Sequence, residues 1–511
     1  MKRLFLLTLV ILILAILIFV LIRFRLSQAT QITILHTNDM HGAFLPTEAF
    51  WLKSSPKPLI GGFLALNAYV TEIRSTQKNT LLLDAGDIMT GNPICNIEYQ
   101  AVKGGALIHF MNQIGYEGMT LGNHEFDISQ ANARGLIQLA RFPVYSANLF
   151  TSDGQLFAPK AYSIYHKGGL RVGVIGVMTE NLLEVLNDKN RTGLEVKPAA
   201  EIVEKIATEI DAETELIVVL SHRGFPEDSL LAEHLSRRVD VIVGGHSHTR
   251  LEAPRRVNGI FIVQTGEKAR YLGQLDLSVA ADTVQNYSGQ LIPLWVEGIT
   301  KDEALEKQIE EYKNIIDAKY GQVIGHLKSP WRRSHHSESN IGNFIADCLR
   351  KYTRADVAFI NSGGIRKGMP TGNITLRDII EILPFDNYIC TFEMTGAELL
   401  KIIQRNAQKA WQKSDRGILQ VAGLRYRWQA LPDGQIKIVN ASVNGKKIRP
   451  RKMYTGATID FIVVANSQNY LGFTPAKVNA AGKLLSEVVS EFVQQQQEIE
   501  STIEGRIQES H

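Results

Sequence analysis

Five short apolar runs of the sequence each end on side chains that can hold a metal ion. The runs cover residues 32–35, 80–83, 118–121, 216–220 and 240–243. The polar side chains that follow them, in the same order, are Asp39 and His41, Asp87, Asn123, His222, and His246 with His248. Parallel strands buried between helices have such an apolar composition, and α/β binding sites form where these strands end. We therefore expect the polar side chains to meet in one pocket.

These candidate metal ligands comprise two carboxylates, four imidazoles and one amide. A carboxylate has two oxygens and can bridge two cations, so the set suits two divalent ions that share one carboxylate. Mixed nitrogen and oxygen ligation without a thiolate favours zinc, manganese or iron, and less strongly magnesium. Any one of these histidines alone would be interpreted as an ordinary core or surface residue, as we interpret His109, His166 and His234. The metal site is predicted by the occurrence of all seven residues at successive strand ends.

His124 and Asp127 have the spacing of a catalytic pair. They lie three residues apart at a predicted helix start, so the carboxylate can hold the imidazole in one orientation. Two metal ions about 3.5–4 Å apart activate a shared water for in-line displacement at phosphorus. An oriented imidazole can then stabilise the phosphoryl group or protonate the leaving oxygen. The alternative is that Asp127 only caps a helix, and we favour catalysis because Asn123 is adjacent.

Length and composition indicate a folded protein of two or three domains. The chain has 511 residues, of which 45% are hydrophobic and 21% charged. Its net charge is +3, and removing the four positive charges within residues 1–30 leaves −1. This balance gives no reason to expect a nucleic-acid polymer as a partner. We expect the three cysteines to be small buried side chains rather than parts of a disulfide framework, although one disulfide is an alternative. They are Cys95, Cys348 and Cys390.

The N-terminal segment 1–29 predicts a targeting element. Residues 4–22 carry no charge and approach the roughly 20 apolar residues that a membrane-spanning helix needs. This run is longer than the roughly 7–15 apolar residues of a usual cleaved signal peptide. We therefore expect a signal anchor with the catalytic body outside the cytoplasm, and a cleaved signal peptide is the alternative.

Beyond this segment, the pattern divides the chain into four further parts. Residues 30–300 alternate short apolar strands with helical stretches, and residues 322–485 form a second α/β region. Residues 301–321 predict a linker helix that ends at a glycine, because apolar residues recur on one helical face. The residues of that face are Leu305, Ile309, Tyr312 and Ile316. Residues 486–511 predict a polar terminal helix.

The motifs, in their order, resemble those of a known family. Asp-x-His (39–41), Gly-Asp (86–87), Gly-Asn-His-Glu (122–125), Ser-His (221–222) and Gly-Gly-His-Ser-His (244–248) are similar to the motifs of calcineurin-like metallophosphoesterases. The fuller forms HTNDMHG, GDIMTGNP and LGNHEFD narrow the resemblance to the 5′-nucleotidase family, which includes bacterial UDP-sugar hydrolases and 2′,3′-cyclic nucleotide phosphodiesterases. The implied fold is α/β: a four-layer αββα sandwich and then a C-terminal α/β substrate-binding domain, preceded here by the membrane helix.

The resemblance also implies a role for each site residue. One metal ion would be held by Asp39, His41, Asp87 and His248, and the other by Asp87, Asn123, His222 and His246. His124 and Asp127 would be catalytic. The implied substrate-binding residues are Asn361, Gly363, Gly364, Arg366, Phe385 and Phe461, with the two phenylalanines clamping a base. From spacing alone, a glycine turn with a surface arginine and two core phenylalanines remain alternatives.

Two departures from the family pattern concern substrate recognition. His335 stands where relatives often carry an arginine, and residues 463–470 replace a usual Gly-Gly-Asp-Gly turn. No acid is available in that segment to read a base. By contrast, the metal-binding motifs match those of the family.

Together, the N-terminal segment and the resemblance predict a membrane-anchored, extracytoplasmic phosphoesterase with two divalent metal ions. It would hydrolyse nucleotides by attack of a metal-bound hydroxide on phosphorus, for nucleotide catabolism and salvage of nucleosides and phosphate. A 2′,3′-cyclic nucleotide phosphodiesterase and a UDP-sugar hydrolase are the alternatives among enzymes. A catalytically silent nucleotide-binding protein is the alternative of another class. The sequence leaves the base preference, the native metals and the oligomeric state open.

Overall fold

The computed structural model describes residues 29–414 and 416–510. The predicted signal anchor or signal peptide, apart from its last residue, lies outside the described residues. Within the described ranges, no helix is both long enough and apolar enough to cross a membrane.

Two six-stranded sheets form the centre of the first domain. In spatial order, the strands of the first sheet are Val284–Pro293, Tyr271–Val279, Thr30–Thr37, Thr80–Asp84, Gly118–Thr120 and Val144–Tyr145. Those of the second sheet are Tyr162–Lys167, Leu170–Met178, Leu216–His222, Val241–Gly244, Ile260–Val263 and Arg255–Val257. The central strands of each sheet run parallel, so their carboxyl ends lie along one edge.

Alternating side chains place each sheet between two apolar layers. In Thr30–Thr37, Ile34 belongs to the core between the two sheets, whereas Leu35 faces a helical layer. In the second sheet, Val218 faces the core between the sheets and Val219 faces the helices behind it. Successive side chains of a strand point to opposite faces. A strand that is buried on both faces therefore needs an uninterrupted run of apolar residues. The first domain is therefore a four-layer arrangement of helices, sheet, sheet and helices.

Helices cover the outer faces of both sheets. The helices behind the first sheet are Phe63–Thr76, Gly105–Ile114, Gln130–Leu139 and Glu303–Tyr320. Those behind the second sheet are Ala199–Ile210 and Phe225–His234. Shorter elements at the strand ends are the helical turns Pro93–Asn96, His124–Phe126, Leu182–Val185, Asp188–Arg191 and Asp211–Glu213. Short strand pairs are Thr47–Glu48 with Leu59–Ile60, Glu98–Tyr99 with Val102–Lys103, and Leu149–Thr151 with Leu194–Val196.

The helix Glu303–Tyr320 lies where the sequence pattern predicts one. Asp302 caps its start by accepting a hydrogen bond from Leu305 N, and Gly321 follows its end. Three residues of the predicted face, Leu305, Ile309 and Ile316, are buried in the core of the first domain.

The second domain is built on one larger and two smaller sheets. In spatial order, the larger sheet contains Leu419–Ala422, Val357–Asn361, Met453–Ile459, Tyr388–Thr395 and Val478–Leu484. A four-stranded sheet contains Lys446–Lys447, Ile436–Val443, Leu424–Ala430 and Ile507–Glu509, and a three-stranded sheet contains Gly372–Thr375, Val323–Leu327 and Glu498–Ile499. The helices are Asn340–Thr353, Leu376–Ile382, Gly396–Gln412, Ser467–Tyr470 and Leu485–Gln496, with helical turns at Ser362–Gly364 and Phe461–Ala465. All three sheets contribute to one apolar core.

The C-terminal tail differs from the predicted polar helix over 486–511. The helix Leu485–Gln496 ends at Gln496, and two strands follow it. Glu498–Ile499 pairs with Val323–Leu327, and Ile507–Glu509 pairs with Leu424–Ala430. The polar composition of the tail does not predict these two strands. They form because the tail pairs with strands that are distant in the sequence.

A buried arginine attaches this tail to the second domain. Arg506 is 5% exposed and donates to both carboxylate oxygens of Asp347, at 3.0 and 2.7 Å. It also donates to Val421 O at 2.8 Å and contacts Glu504 at 3.0 Å. Its backbone N donates to the buried carboxylate of Glu338 at 2.7 Å.

We expect Arg506→Met to lower the free energy of unfolding of the second domain by about 1–3 kcal/mol, because it leaves the buried Val421 O and the partly exposed carboxylate of Asp347 without their donor. Urea unfolding followed by tryptophan fluorescence would measure it. The matched control is Arg425→Met, which removes an exposed arginine that also pairs with Glu504, at 3.1 Å. That loss should stay below about 1 kcal/mol. Equal effects of the two substitutions would contradict a structural role for Arg506.

Candidate metal centre

The carboxyl ends of strands from both sheets bring the predicted ligands together. Three groups of side chains have ligand atoms that all lie within 4.8 Å of one another. The groups are Asp39, His41 and His248; His41, Asp87 and His124; and Asp87, His222 and His246. Asp87 and His41 each belong to two groups, so the three groups form one continuous cluster.

The first group surrounds a carboxylate oxygen of Asp39. This oxygen, Oδ1, lies 3.4 Å from His248 Nε2 and 4.0 Å from His41 Nε2. The two imidazole Nε2 atoms are themselves 3.0 Å apart. Asp39 is fully buried, and a cation between these three atoms would satisfy them all.

The other two groups share Asp87. Its Oδ2 lies 3.1 Å from His222 Nε2 and 3.8 Å from His124 Nε2, and the rings of His222 and His246 are 5.1 Å apart. Asn123 Oδ1 is buried without a hydrogen-bond partner. Buried polar atoms are rarely left without a partner, so this unpaired oxygen fits a cation. The donor set present therefore fits divalent metal ions.

Hydrogen bonds from the outer ring nitrogens orient three of the histidines. Nδ1 of His41 lies 3.0 Å from Met89 O, and Nδ1 of His222 lies 2.7 Å from Ala85 O. Each carbonyl oxygen can only accept, so Nδ1 carries the proton and Nε2 presents its lone pair to the cluster. Nδ1 of His248 lies 3.0 Å from a carboxylate oxygen of Glu267. Glu267 was not among the predicted site residues, although it follows a strand end of the second sheet as the predicted ligands do.

The loops that carry the ligands adopt strained backbone conformations. Five of the seven predicted ligands have left-handed φ values, which non-glycine residues seldom adopt: Asp39 (50°), His41 (49°), Asp87 (60°), His246 (74°) and His248 (53°). Such strain persists only where the surrounding structure holds it, and it is common at functional sites.

Glu125 holds two of these loops in place. It is fully buried, and its carboxylate accepts from the backbone N–H groups of Gly122 (2.6 Å), Asp87 (3.1 Å), Ile88 (2.9 Å) and Met89 (3.2 Å). Burial raises its pKa to about 7. Glu125 lies within the Gly-Asn-His-Glu motif, but its role could not be predicted from the sequence because its partners are backbone groups.

The predicted pair His124 and Asp127 is in direct contact. His124 Nδ1 lies 2.6 Å from Asp127 Oδ2, and Thr90 Oγ1 donates to the same oxygen at 2.5 Å. Burial acts to lower the pKa of His124, but the carboxylates of Asp127 and Asp87 outweigh it, so the pKa lies above its ordinary value. The imidazole is thus oriented by one carboxylate and faces the cluster.

Of the predicted substrate-binding residues, Phe385 and Arg366 approach the cluster. The ring of Phe385 stacks on His124 with centroids 5.7 Å apart and an interplanar angle of 30°. Burial is the main reason that the pKa of His41 falls to about 3, and the charge of Arg366 is among those that lower it further. The second domain therefore covers one side of the cluster.

The other predicted substrate-binding residues have their contacts within the second domain. Phe461 lies 6.1 Å from Tyr470, centroid to centroid. Asn361 is buried with an unpaired Oδ1, and a Cβ at Gly364 would approach that oxygen to 2.9 Å. A Cβ at Gly363 would meet nothing closer than 3.7 Å, so space alone does not require that glycine.

The two departures from the family pattern take defined structures. The backbone oxygen of His335 accepts from Ser362 Oγ and Ile418 N, at 2.9 and 3.0 Å. The segment that begins at Phe461 forms a wide helical turn and then the short helix Ser467–Tyr470.

We expect Glu125→Gln to weaken metal binding by about 10–100-fold, because the amide NH₂ group would face backbone N–H donors and loosen both loops. Titration of metal-free protein with manganese or zinc would measure the affinity. The matched control is Glu117→Gln, whose carboxylate accepts from Leu82 N at 3.2 Å at the opposite edge of the same sheet. Unchanged affinity in the Glu125 variant would show that the loops do not depend on it.

Two family profiles match the chain in succession. The calcineurin-like phosphoesterase profile matches residues 32–250. The profile of the 5′-nucleotidase C-terminal domain matches residues 323–473. The two profiles fall on the first and second domains, respectively.

Several bacterial proteins are similar to this chain over nearly the whole length of both chains. Protein UshA of Yersinia enterocolitica is 27% identical over 93% of each chain. A 5′-nucleotidase of Vibrio vulnificus is 28% identical over 92% of this chain and 91% of its own. The crystal structure of a 5′-nucleotidase precursor from Thermus thermophilus superposes with a TM-score of 0.85 at 29% identity, covering 94% of this chain and 99% of that one. With both profiles matched in order and full-length relatives of the same kind, the chain belongs to the 5′-nucleotidase family of calcineurin-like metallophosphoesterases.

Proposed function

We propose that this protein is a two-metal phosphoesterase that hydrolyses nucleotides. The observation that carries the proposal is the cluster around Asp87, in which three overlapping ligand groups adjoin a carboxylate-oriented imidazole. Family membership and the names of the full-length relatives support the substrate class.

The candidate ligands would hold two ions, with Asp87 contributing to both. Asp39, His41, Asp87 and His248 would hold one ion, and Asp87, Asn123, His222 and His246 the other. Zinc, manganese or iron suits this mixture of imidazole, carboxylate and amide donors better than magnesium. When bound, the two ions would supply Lewis-acid chemistry and lower the pKa of a shared water.

His124 would act on the phosphoryl group rather than as a ligand. Its backbone N donates to Asp87 Oδ1 at 2.8 Å, which fixes the main chain beside the shared carboxylate. Asp127 holds the imidazole by Nδ1, so Nε2 is the atom that can donate a proton to the leaving oxygen. The neighbouring carboxylates favour the protonated ring, as that role requires.

The second domain would recognise the rest of the nucleotide. Arg366 presents a planar fork of donors that suits a phosphate or ribose oxygen. We propose that Phe385 and Phe461 bind the base, for which aromatic stacking contributes about 1–3 kcal/mol per base. Asn361, with its unpaired oxygen, and the close turn at Gly363 and Gly364 would complete the site.

We further propose that the catalytic body works outside the cytoplasm, in the recovery of nucleosides and phosphate. The uncharged segment 4–22 is the basis for this location. N-terminal sequencing of the purified native protein would distinguish a retained anchor from a cleaved signal peptide.

The proposal is tested by phosphate release from residues 30–511, first metal-free and then reloaded with manganese or zinc. The substrates are 5′-mononucleotides, 2′,3′-cyclic nucleotides, UDP-glucose and bis(p-nitrophenyl) phosphate, with a coupled phosphatase where a diester product needs it. We expect metal-dependent turnover of 5′-nucleotides. Preference for the cyclic nucleotides or UDP-glucose would select one of the enzyme alternatives. No turnover with both metals bound would favour the silent binding protein and implicate residues 463–470.

We expect His124→Ala to lower kcat by about 10²–10⁴-fold while the protein retains its metal, because the ring acts on the proton and not on the ions. Steady-state kinetics and elemental analysis of the same sample would measure both. His109→Ala is the control, since that half-buried histidine contacts Tyr99 and Gln308 on the helical layer. Loss of metal together with activity would make His124 a ligand instead.

A further inference from the structure

The helix Leu376–Ile382 of the second domain is attached to two of the proposed substrate-binding residues. At the end of this helix, Ile382 O accepts a hydrogen bond from Arg366 N at 2.9 Å. Phe385, whose ring stacks on His124, lies three residues beyond the helix end. A shift of the helix would therefore move the arginine and the aromatic ring together.

Glu381 on this helix makes contacts in both domains. Within the second domain, its carboxylate pairs with Lys367, the residue that follows Arg366. Across the domain boundary, the carboxylate accepts a hydrogen bond from Asn92 Nδ2 at 3.3 Å. The Glu381 side chain is 15% exposed, and hydrogen bonds to an ionised carboxylate are stronger than those between neutral groups. Glu381 therefore links the segment that carries Arg366 to the first domain.

The partner in the first domain, Asn92, is held in one orientation. Its Oδ1 accepts from Ile94 N at 3.1 Å, and its backbone O accepts from Cys95 N at 3.0 Å. Because Oδ1 is engaged by Ile94 N, the amide turns its NH₂ group toward Glu381. Asn92 thus presents a donor in a fixed direction.

The loop that ends at Asn92 supports both the metal centre and the catalytic pair. Besides the shared carboxylate, this loop contains Met89, whose O lies 3.0 Å from His41 Nδ1. It also contains Thr90, whose Oγ1 donates to Asp127 Oδ2 at 2.5 Å. The hydrogen bond from Asn92 to the second domain therefore joins the loop that holds the reacting groups to the segment that would hold the substrate.

We propose that Glu381 is a positioning residue, which sets the segment 366–385 against the metal-binding loop through Lys367 and Asn92. This inference rests on the proposed function, because it assumes that the segment 366–385 binds the nucleotide. In that function two domains hold two parts of one substrate, and hydrolysis requires both parts in place at once. A misplacement of about 1 Å can cost about 10²-fold in rate. Glu381 has this effect without touching the substrate.

The test compares AMP with p-nitrophenyl phosphate, a substrate that has no nucleoside, in metal-loaded protein. We expect Glu381→Ala to lower kcat/KM for AMP by about 5–20-fold and for p-nitrophenyl phosphate by less than about 3-fold. The matched control is Glu491→Ala, which removes another carboxylate of the second domain that pairs with a lysine, Lys483, at 2.5 Å. This control should leave both substrates unaffected. Equal losses of Glu381→Ala on both substrates, or no loss on either, would overturn the proposal.

A double-mutant cycle tests whether Glu381 acts through Asn92. Asn92→Ser removes the donor to Glu381, while the serine hydroxyl can still accept from Ile94 N. We expect Asn92→Ser to lose activity selectively on AMP, and the double variant to lose no more than Glu381→Ala alone, because both substitutions break the same contact. Losses that multiply in the double variant would contradict this coupling and overturn the proposal. If Glu381→Ala does not fold, the comparison of the two substrates is made with Asn92→Ser.

Hydrogen exchange separates this inference from the proposed function. Deuterium uptake by peptides covering residues 86–97 and 366–385 of metal-loaded protein is followed by mass spectrometry, with metal content measured for each variant. Glu381→Ala should raise the exchange rate in both peptides by about 5-fold or more, and Glu491→Ala in neither. If the wild type hydrolyses nothing, the proposed function fails, and the exchange rates still decide whether Glu381 holds the two segments together. Unchanged exchange in Glu381→Ala, or loss of its metal, would overturn the positioning role.

Discussion

The buried carboxylate of Asp87 is the group on which the arrangement of the site depends. It lies at the end of a strand from one sheet and contacts histidines supplied by both sheets. Burial acts to raise its pKa, but His222 and His124 outweigh this effect and hold the pKa well below its ordinary value. An ionised carboxylate in such a place requires positive charge close to it, which the metal ions of the proposed function would supply. Glu125 fixes the relative position of two of the loops that carry the ligands, because its carboxylate accepts hydrogen bonds from Asp87 N in one loop and Gly122 N in the other.

The sandwich of two sheets explains why one cluster can draw on so many segments. In each sheet the parallel strands end along one edge. Packing of the two sheets on a shared core brings these two edges together. The left-handed residues then turn the chain back sharply enough for Asp39 and His41, or His246 and His248, to face one point. This strain is sustained by hydrogen bonds from the outer ring nitrogens and from the backbone, which also set the orientation of each imidazole.

The second domain lies against one side of the cluster. Phe385 stacks on His124, and Arg366 adds positive charge beside it, while Phe461 packs on Tyr470 further away. The altered segment 463–470 also lies in this domain. The tail supports this domain at a distance from the site, since Arg506 joins it to both a helix and a strand.

The sequence alone predicted the parts that depend on local pattern. Apolar runs followed by Asp, Asn or His indicated which strand ends would meet, and apolar spacing indicated the helix Glu303–Tyr320. Burial of the three cysteines was also predicted and is confirmed. The roles of Glu125 and Glu267 could not be predicted, because their partners are backbone groups or side chains that only the closed loops bring near. The strands of the tail were likewise decided by tertiary structure, because they form only by pairing with strands that are distant in the sequence. Residue type and spacing specify which side chains can bind a metal ion, whereas the packing of distant segments decides which neighbours orient those side chains.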